Sequence, residues 1–174
     1  MRLFVAIPVP EDIRKKVALF GNDIAQDGVM NVKPENMHLT LKFIGENEQA
    51  EQIKKILEKI EYNKFECKVS GVGVFPNESY IKVVWTGIES GHRIEKLADL
   101  VKDALINYGS NDRKFSAHLT IARVKKKIDL KEFLIKNEQT EFGTFTAEKF
   151  ELIQSILSPE GPKYITLASF KLKK

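Results

Sequence analysis

The sequence holds one cysteine, Cys67, in 174 residues. A lone thiol excludes an intramolecular disulfide and any zinc site built from several cysteines. No apolar run approaches the roughly 20 residues that cross a bilayer as a helix. The first apolar run, residues 3–7, is cut short by Pro8 and Pro10 and reads as a strand rather than a leader. Ser/Gly linkers and low-complexity tracts are also missing, so one domain over residues 1–174 is expected. Neither sign of charge dominates: 28 Lys and Arg stand against 24 Asp and Glu, a net charge of +4. That mild excess suits a phosphate-bearing substrate but falls short of the dense basic tracts that coat nucleic acid. The expectation is a soluble, monomeric, cytoplasmic protein with no membrane partner.

Hydrophobic periodicity alternates along the chain between about 2 and about 3.6. Strands are expected at 2–8, 37–44, 64–75, 80–88, 115–124, 142–157 and 163–172. Helices are expected after Pro10, with Ile13, Val17, Phe20 and Ile24 on one stripe, and after Asn47, with Ile53, Ile56, Leu57 and Ile60. A third starts near Ser90 and turns Ile94, Leu97, Ala98, Val101 and Leu105 inward; a short fourth follows Asp129. The pattern has an internal echo. A strand and a helix lead to His38-Leu39-Thr40-Leu41, and another strand and helix lead to His118-Leu119-Thr120-Ile121. The fold class implied is α+β: two pseudo-symmetric lobes, each a mainly antiparallel sheet with helices outside, the two tetrads meeting in a cleft between them.

From average residue usage, two such tetrads in matched contexts arise by chance in fewer than roughly one chain in a hundred thousand. On a strand, residues i and i+2 share a face. His38 with Thr40, and His118 with Thr120, therefore face one way while the leucines and isoleucine face the core. An imidazole with an ordinary pKa near 6.5 can give or take a proton at neutral pH. Displacement at phosphorus needs both events, one at the nucleophile and one at the leaving oxygen. Threonine hydroxyls can donate to the non-bridging oxygens whose charge grows in the transition state. The residues point to phosphodiester chemistry without a metal or other cofactor. His92 has no echo and reads as a surface histidine, and the three histidines lack close ligand spacing.

Three segments carry a family resemblance: residues 2–7; Lys33-Pro34-Glu35-Asn36-Met37-His38-Leu39-Thr40-Leu41-Lys42-Phe43-Ile44-Gly45; and Phe115-Ser116-Ala117-His118-Leu119-Thr120-Ile121-Ala122-Arg123. They resemble the 2H phosphoesterases, and more narrowly the RNA 2′,3′-cyclic phosphodiesterases, also called 2′-5′ RNA ligases. The likeness extends to the late Ser158-Pro159-Glu160-Gly161-Pro162-Lys163-Tyr164 hairpin. Ala117 departs from it, since proline often precedes the second histidine in the family. The resemblance implies opening of an RNA 2′,3′-cyclic phosphate end, tRNA fragments among such substrates, to a 2′-phosphomonoester. It makes His118 the base and His38 the acid, and it allows the reverse 2′-5′ ligation. Spacing alone leaves the two roles interchangeable. Other readings of the same residues are a 2H hydrolase of a small cyclic nucleotide or ADP-ribose cyclic phosphate, and a nucleotide- or RNA-binding module without turnover.

Around the tetrads, Lys42 shares the face of His38 and Thr40 by parity, which makes it a candidate to neutralise phosphate. Parity puts Arg123 on the face opposite His118 unless a bulge intervenes, whereas the resemblance gives it a phosphate-binding place. Tyr164 follows the late turn and offers a ring for a nucleobase or for packing. Phe43 and Trp85 have core parity.

Overall fold

Pro8 and Pro10 end the first strand, β1 (Arg2–Pro8), and Glu11 and Asp12 occupy the first turn of α1 (Glu11–Gly21), where acids favour the helix dipole. The computed structural model describes residues 1–111 and 113–174. β2 (Val29–Asn31), β3 (His38–Glu46) and α2 (Ala50–Leu57) complete the first part of the chain. β4 (Phe65–Asn77) and β5 (Tyr80–Glu89) form a long hairpin, followed by α3 (Arg93–Ala104) and β6 (His118–Val124). Ser90 starts α3 by accepting the Ile94 amide at 3.0 Å on its hydroxyl. Next come α4 (Lys131–Lys136), β7 (Glu141–Ala147), β8 (Lys149–Ile156) and β9 (Lys163–Lys171).

The strands build two antiparallel sheets, one in the order β3-β1-β8-β9 and the other β2-β6-β5-β4-β7. Each sheet holds one tetrad, on β3 or on β6. The sheets are not, however, the two halves of the sequence. β4 leaves the first half to pair with β5, and β8 leaves the second half to pair with β1. The segment 142–157, which reads as one strand in sequence, is broken at Glu148. β7 stays in the five-stranded sheet and β8 crosses to the other.

Helices cross over in the same way. α1 follows a strand of the four-stranded sheet but lies against β6 and β7 of its partner, and α3 lies against β3. Phe20 on α1 meets Phe133 of α4 and Phe142 of β7, with ring centroids 5.3 and 5.1 Å apart. One apolar core consequently runs through both sheets, from Leu3, Val5 and Ile7 to Val84, Leu119 and Ile121. Leu39 and Leu119, the second residues of the tetrads, are both fully buried in it. Replacing either with alanine would cost about 2–5 kcal/mol. The tetrads are thus anchored from behind by the largest hydrophobic cluster, and what they present in front is held rigidly.

Candidate active site

Residues His38 to Ile44 and His118 to Val124 share one burial pattern. The first and third are half-buried, the second, fourth, fifth and seventh buried, and the sixth exposed. Two adjacent buried positions cannot occur on a regular half-buried strand. The pairing shows why. On β3, Thr40 stands opposite Ala6 and Lys42 opposite Val5, so Leu41 has no partner. On β6, Thr120 stands opposite Trp85 and Ala122 opposite Val84, so Ile121 has none. Each tetrad contains a bulge at its fourth residue, and the side chains that follow it directly are turned over.

This overturns the parity reading of Lys42. The lysine is 7% exposed and donates to the Ser110 carbonyl at 3.1 Å and the Asn111 side-chain oxygen at 2.7 Å. Burial holds its pKa below the usual lysine value, as does nearby Lys102. It ties β3 to the loop after α3 and does not face the cleft. Phe43, a core residue by parity, takes the open face instead. It is 55% exposed, with the Arg113 guanidinium 5.7 Å from its ring centroid and Phe4 at 6.1 Å. The matching bulge brings Arg123 to the face of His118 and Thr120.

His38 is boxed by aromatic edges, Phe4 at 6.1 Å and Tyr164 at 5.3 Å. Phe4, Ala6 and Ile153 form a small apolar floor beneath it, with Tyr164 packed against them. His118 is boxed in turn by Phe75 at 5.1 Å and Trp85 at 6.5 Å. Parity with Ile81 assigns Trp85 to the core, but a bulge at Lys82 in the pairing of β5 with β4 puts it on the site face, where its indole covers Gly73. Phe4, Phe75 and Trp85 are site residues that sequence reasoning missed. An aromatic residue in an apolar strand gives no sign of its face once a bulge intervenes.

Burial lowers the pKa of both histidines from the ordinary value. His118 Nδ1 lies 2.7 Å from the Ser116 carbonyl, which sets that nitrogen as the proton donor and leaves Nε2 for exchange. His38 feels the Asn36 carbonyl, also two residues back, although its buried Nδ1 meets no group in hydrogen-bond geometry among the described residues. The two histidines differ in their charged neighbours. Glu151 acts to raise His38 and Arg14 to lower it, while Arg123 lowers His118. Glu151 is 6% exposed and stands opposite Ala6. Its carboxylate accepts from Ser169 at 3.2 Å and Thr166 at 3.4 Å and pairs with Lys149 at 2.9 Å.

The two sheets meet at this point. β3 and β6 lie against each other, and the charge of Arg123 on β6 reaches the Tyr164 phenol on β9 as well as His118. Tyr164 in turn touches His38. Burial raises the Tyr164 pKa, and Arg123 and Arg2 oppose that rise. The 158–162 turn docks on the 33–36 turn, Asn36 Nδ2 donating to the Pro162 carbonyl at 3.2 Å. Between these turns lies a recess of about 270 Å³ whose lining includes Lys33, Lys163 and Tyr164. A second recess of about 330 Å³, lined by Cys67 and Ser90 among others, holds neither histidine. Cys67 itself is buried, its thiol pushed up to about 12. His92 is exposed at the start of α3, away from both tetrads in sequence and sheet. Among the described residues no cluster of His, Cys, Asp and Glu could hold a metal ion, and no helix is long and apolar enough to cross a membrane.

Residues 7–85 match the LigT-like phosphoesterase family. Over 98% of its length the chain is 38% identical to the RNA 2′,3′-cyclic phosphodiesterase of Archaeoglobus fulgidus, all of which is covered. It is 37% identical to the Methanocaldococcus jannaschii protein of the same name, over 94% of this chain and 96% of that one. The crystal structure of the Thermus thermophilus protein TT0787 superposes with a TM-score of 0.84 at 28% identity, covering 99% of this chain and 98% of that one.

Proposed function

The chain belongs to the LigT-like phosphoesterases of the 2H superfamily, and on that premise we propose that it opens RNA 2′,3′-cyclic phosphate ends to 2′-phosphomonoesters. The observation that carries this reading is that β3 and β6, the strands bearing the two tetrads, lie against each other, with Arg123 near enough to act on His118 and on the Tyr164 that touches His38. In the reaction, His118 Nε2 takes a proton from water, and the water oxygen bonds to phosphorus. The bond from phosphorus to the 3′ oxygen breaks, and His38 delivers a proton to that oxygen. Thr40, Thr120 and Arg123 hold the non-bridging oxygens. The two proton transfers are both supplied by imidazoles, so the step needs no metal-bound water to proceed.

Burial favours the neutral form of both imidazoles. Their charged neighbours differ in the direction this division of labour needs: Glu151 favours a protonated His38, with Arg14 opposing it, whereas Arg123 favours a neutral His118. Phe43 and Tyr164 offer rings to the terminal base on the His38 side. Microscopic reversibility admits the reverse path, in which a 5′-hydroxyl attacks the cyclic phosphate to form a 2′-5′ linkage. The deciding experiment is incubation of the protein, with EDTA present, with an oligoribonucleotide ending in a 2′,3′-cyclic phosphate. The expected product is the 2′-monoester; a 3′-monoester reverses the leaving group, and no product removes the activity.

A further inference from the structure

Tyr80 opens β5, is 58% exposed as a residue, and has the Lys82 ammonium 5.2 Å from its ring centroid. The direction of both side chains follows from their neighbours. Ile81 and Val84 are both buried in the shared core although they stand three apart. On a regular strand such residues face opposite sides. The pairing with β4 resolves this: Val83 stands opposite Phe75 and Ile81 opposite Pro76, so Lys82 has no partner. This bulge turns Tyr80 and Lys82 to the face that carries Phe75, Trp85 and His118.

The hairpin tip is also held in shape. Asn77 Oδ1 accepts the backbone amides of Ser79 at 3.0 Å and Tyr80 at 2.9 Å, which fixes the backbone from which the ring projects. Glu78, the acid at this tip, lies in the turn itself. From His118, opposite Gly87, the face runs along β5 through Trp85 to Val83, which stands opposite Arg123, and on to Lys82 and Tyr80. Tyr80 lies three residues beyond Val83, a rise of about 10 Å. An imidazole and a guanidinium on β6, then an ammonium and an open aromatic face on β5, therefore follow one another along one face of this strand pair.

Alternating cations and rings suit a single-stranded polynucleotide, because every base has a face to stack and every linkage has a phosphate to pair. A cyclic phosphate at the reaction centre marks the 3′ end, so the remaining chain must leave on its 5′ side. We infer that the β4–β5 hairpin tip is a subsite for a nucleotide on that 5′ side, its base stacked on the open face of Tyr80 and its phosphate paired with Lys82. This inference rests on the function proposed above and adds that the enzyme measures more than the terminal nucleotide.

The test compares a mononucleoside 2′,3′-cyclic phosphate with a tetranucleotide ending in the same group. For the unaltered protein, KM should be about ten-fold lower for the tetranucleotide. Tyr80→Ala should abolish most of that ratio while kcat on the tetranucleotide holds, and Tyr80→Phe should keep it. Equal KM values for both substrates in the unaltered protein, or an unchanged ratio in Tyr80→Ala, would overturn the subsite. If neither substrate is turned over, the catalytic reading fails separately. Titration of a 2′-phosphate-ended tetranucleotide, followed by tryptophan fluorescence, then decides the subsite: about ten-fold weaker binding in Tyr80→Ala keeps it, and equal binding removes it.

Discussion

Phe43 and Arg123 occupy the same place in the two halves of the molecule, each fifth after its histidine and each brought to the open face by a bulge one residue past the threonine. Their chemistry is opposite, a neutral ring against a fixed cation. The two halves therefore differ at the site itself, with a ring on one side and a cation on the other.

The histidines come first. His38→Ala and His118→Ala should each reduce kcat by a factor of ~100 or more. Circular dichroism should show both variants folded, since neither imidazole belongs to the main core. Near-normal hydrolysis by either variant would remove that histidine from the reaction.

An acid and a base that both titrate below their ordinary value of about 6.5 place a bell-shaped kcat/KM profile on the acid side of neutrality. Stability moves the other way. Above pH ~6.5 both imidazoles are neutral whether folded or unfolded; as pH falls through that value, the unfolded chain binds protons that the folded chain still refuses. Stability should therefore fall between pH ~6.5 and the lower folded pKa values, by less in His38→Gln/His118→Gln. Thermal melts at pH 7 and pH 5 would show an equal loss in both proteins if burial did not act this way.

Two basic residues with similar sequence credentials should separate cleanly. Arg123→Ala is expected to lower kcat/KM by roughly 10²-fold with little change in Tm. Lys42→Ala removes the bonds that the ammonium donates to the Ser110 carbonyl and the Asn111 side chain and should cost about 1–3 kcal/mol of stability, with kcat/KM within about two-fold of the parent. Kinetics and melting of the two variants side by side would expose an exchange of these roles.

Thr40→Val and Thr120→Val remove one hydroxyl donor each while keeping shape. Each should weaken the transition state by at most about 2.7–4 kcal/mol, seen in kcat. Unchanged kinetics would make that hydroxyl structural.

Gly73 lies under the Trp85 indole, where an added Cβ would overlap the ring. Gly73→Ala should push Trp85 off its seat and loosen the wall against His118. The expected result is a shift in tryptophan fluorescence together with a fall in kcat; a spectrum and rate matching the parent would show that the ring is free to move.

Much of this is legible in one dimension. The helical stripe from Ile13, the strand at β1 and the two tetrads follow from local periodicity, because a side chain's face within an unbroken element depends only on its spacing. The same rule explains why spacing puts His38 and Thr40 on one face correctly and misplaces Lys42, Phe43 and Trp85. A bulge adds one residue without a sequence mark, and it inverts the assignments that follow it until the next irregularity. Likewise, Glu148 carries no signal that the chain changes sheets there.

By itself, then, the amino-acid order determined the elements, the core-facing leucines of the tetrads and the pairing of imidazole with hydroxyl, all consequences of spacing over a few residues. Tertiary structure decided which cation reaches the face of His118, which aromatics enclose the histidines, and that Glu151 acts on one imidazole and Arg123 on the other. Those relationships join strands far apart in the chain, and they depend on bulges and sheet crossings that only the packing of the whole core selects.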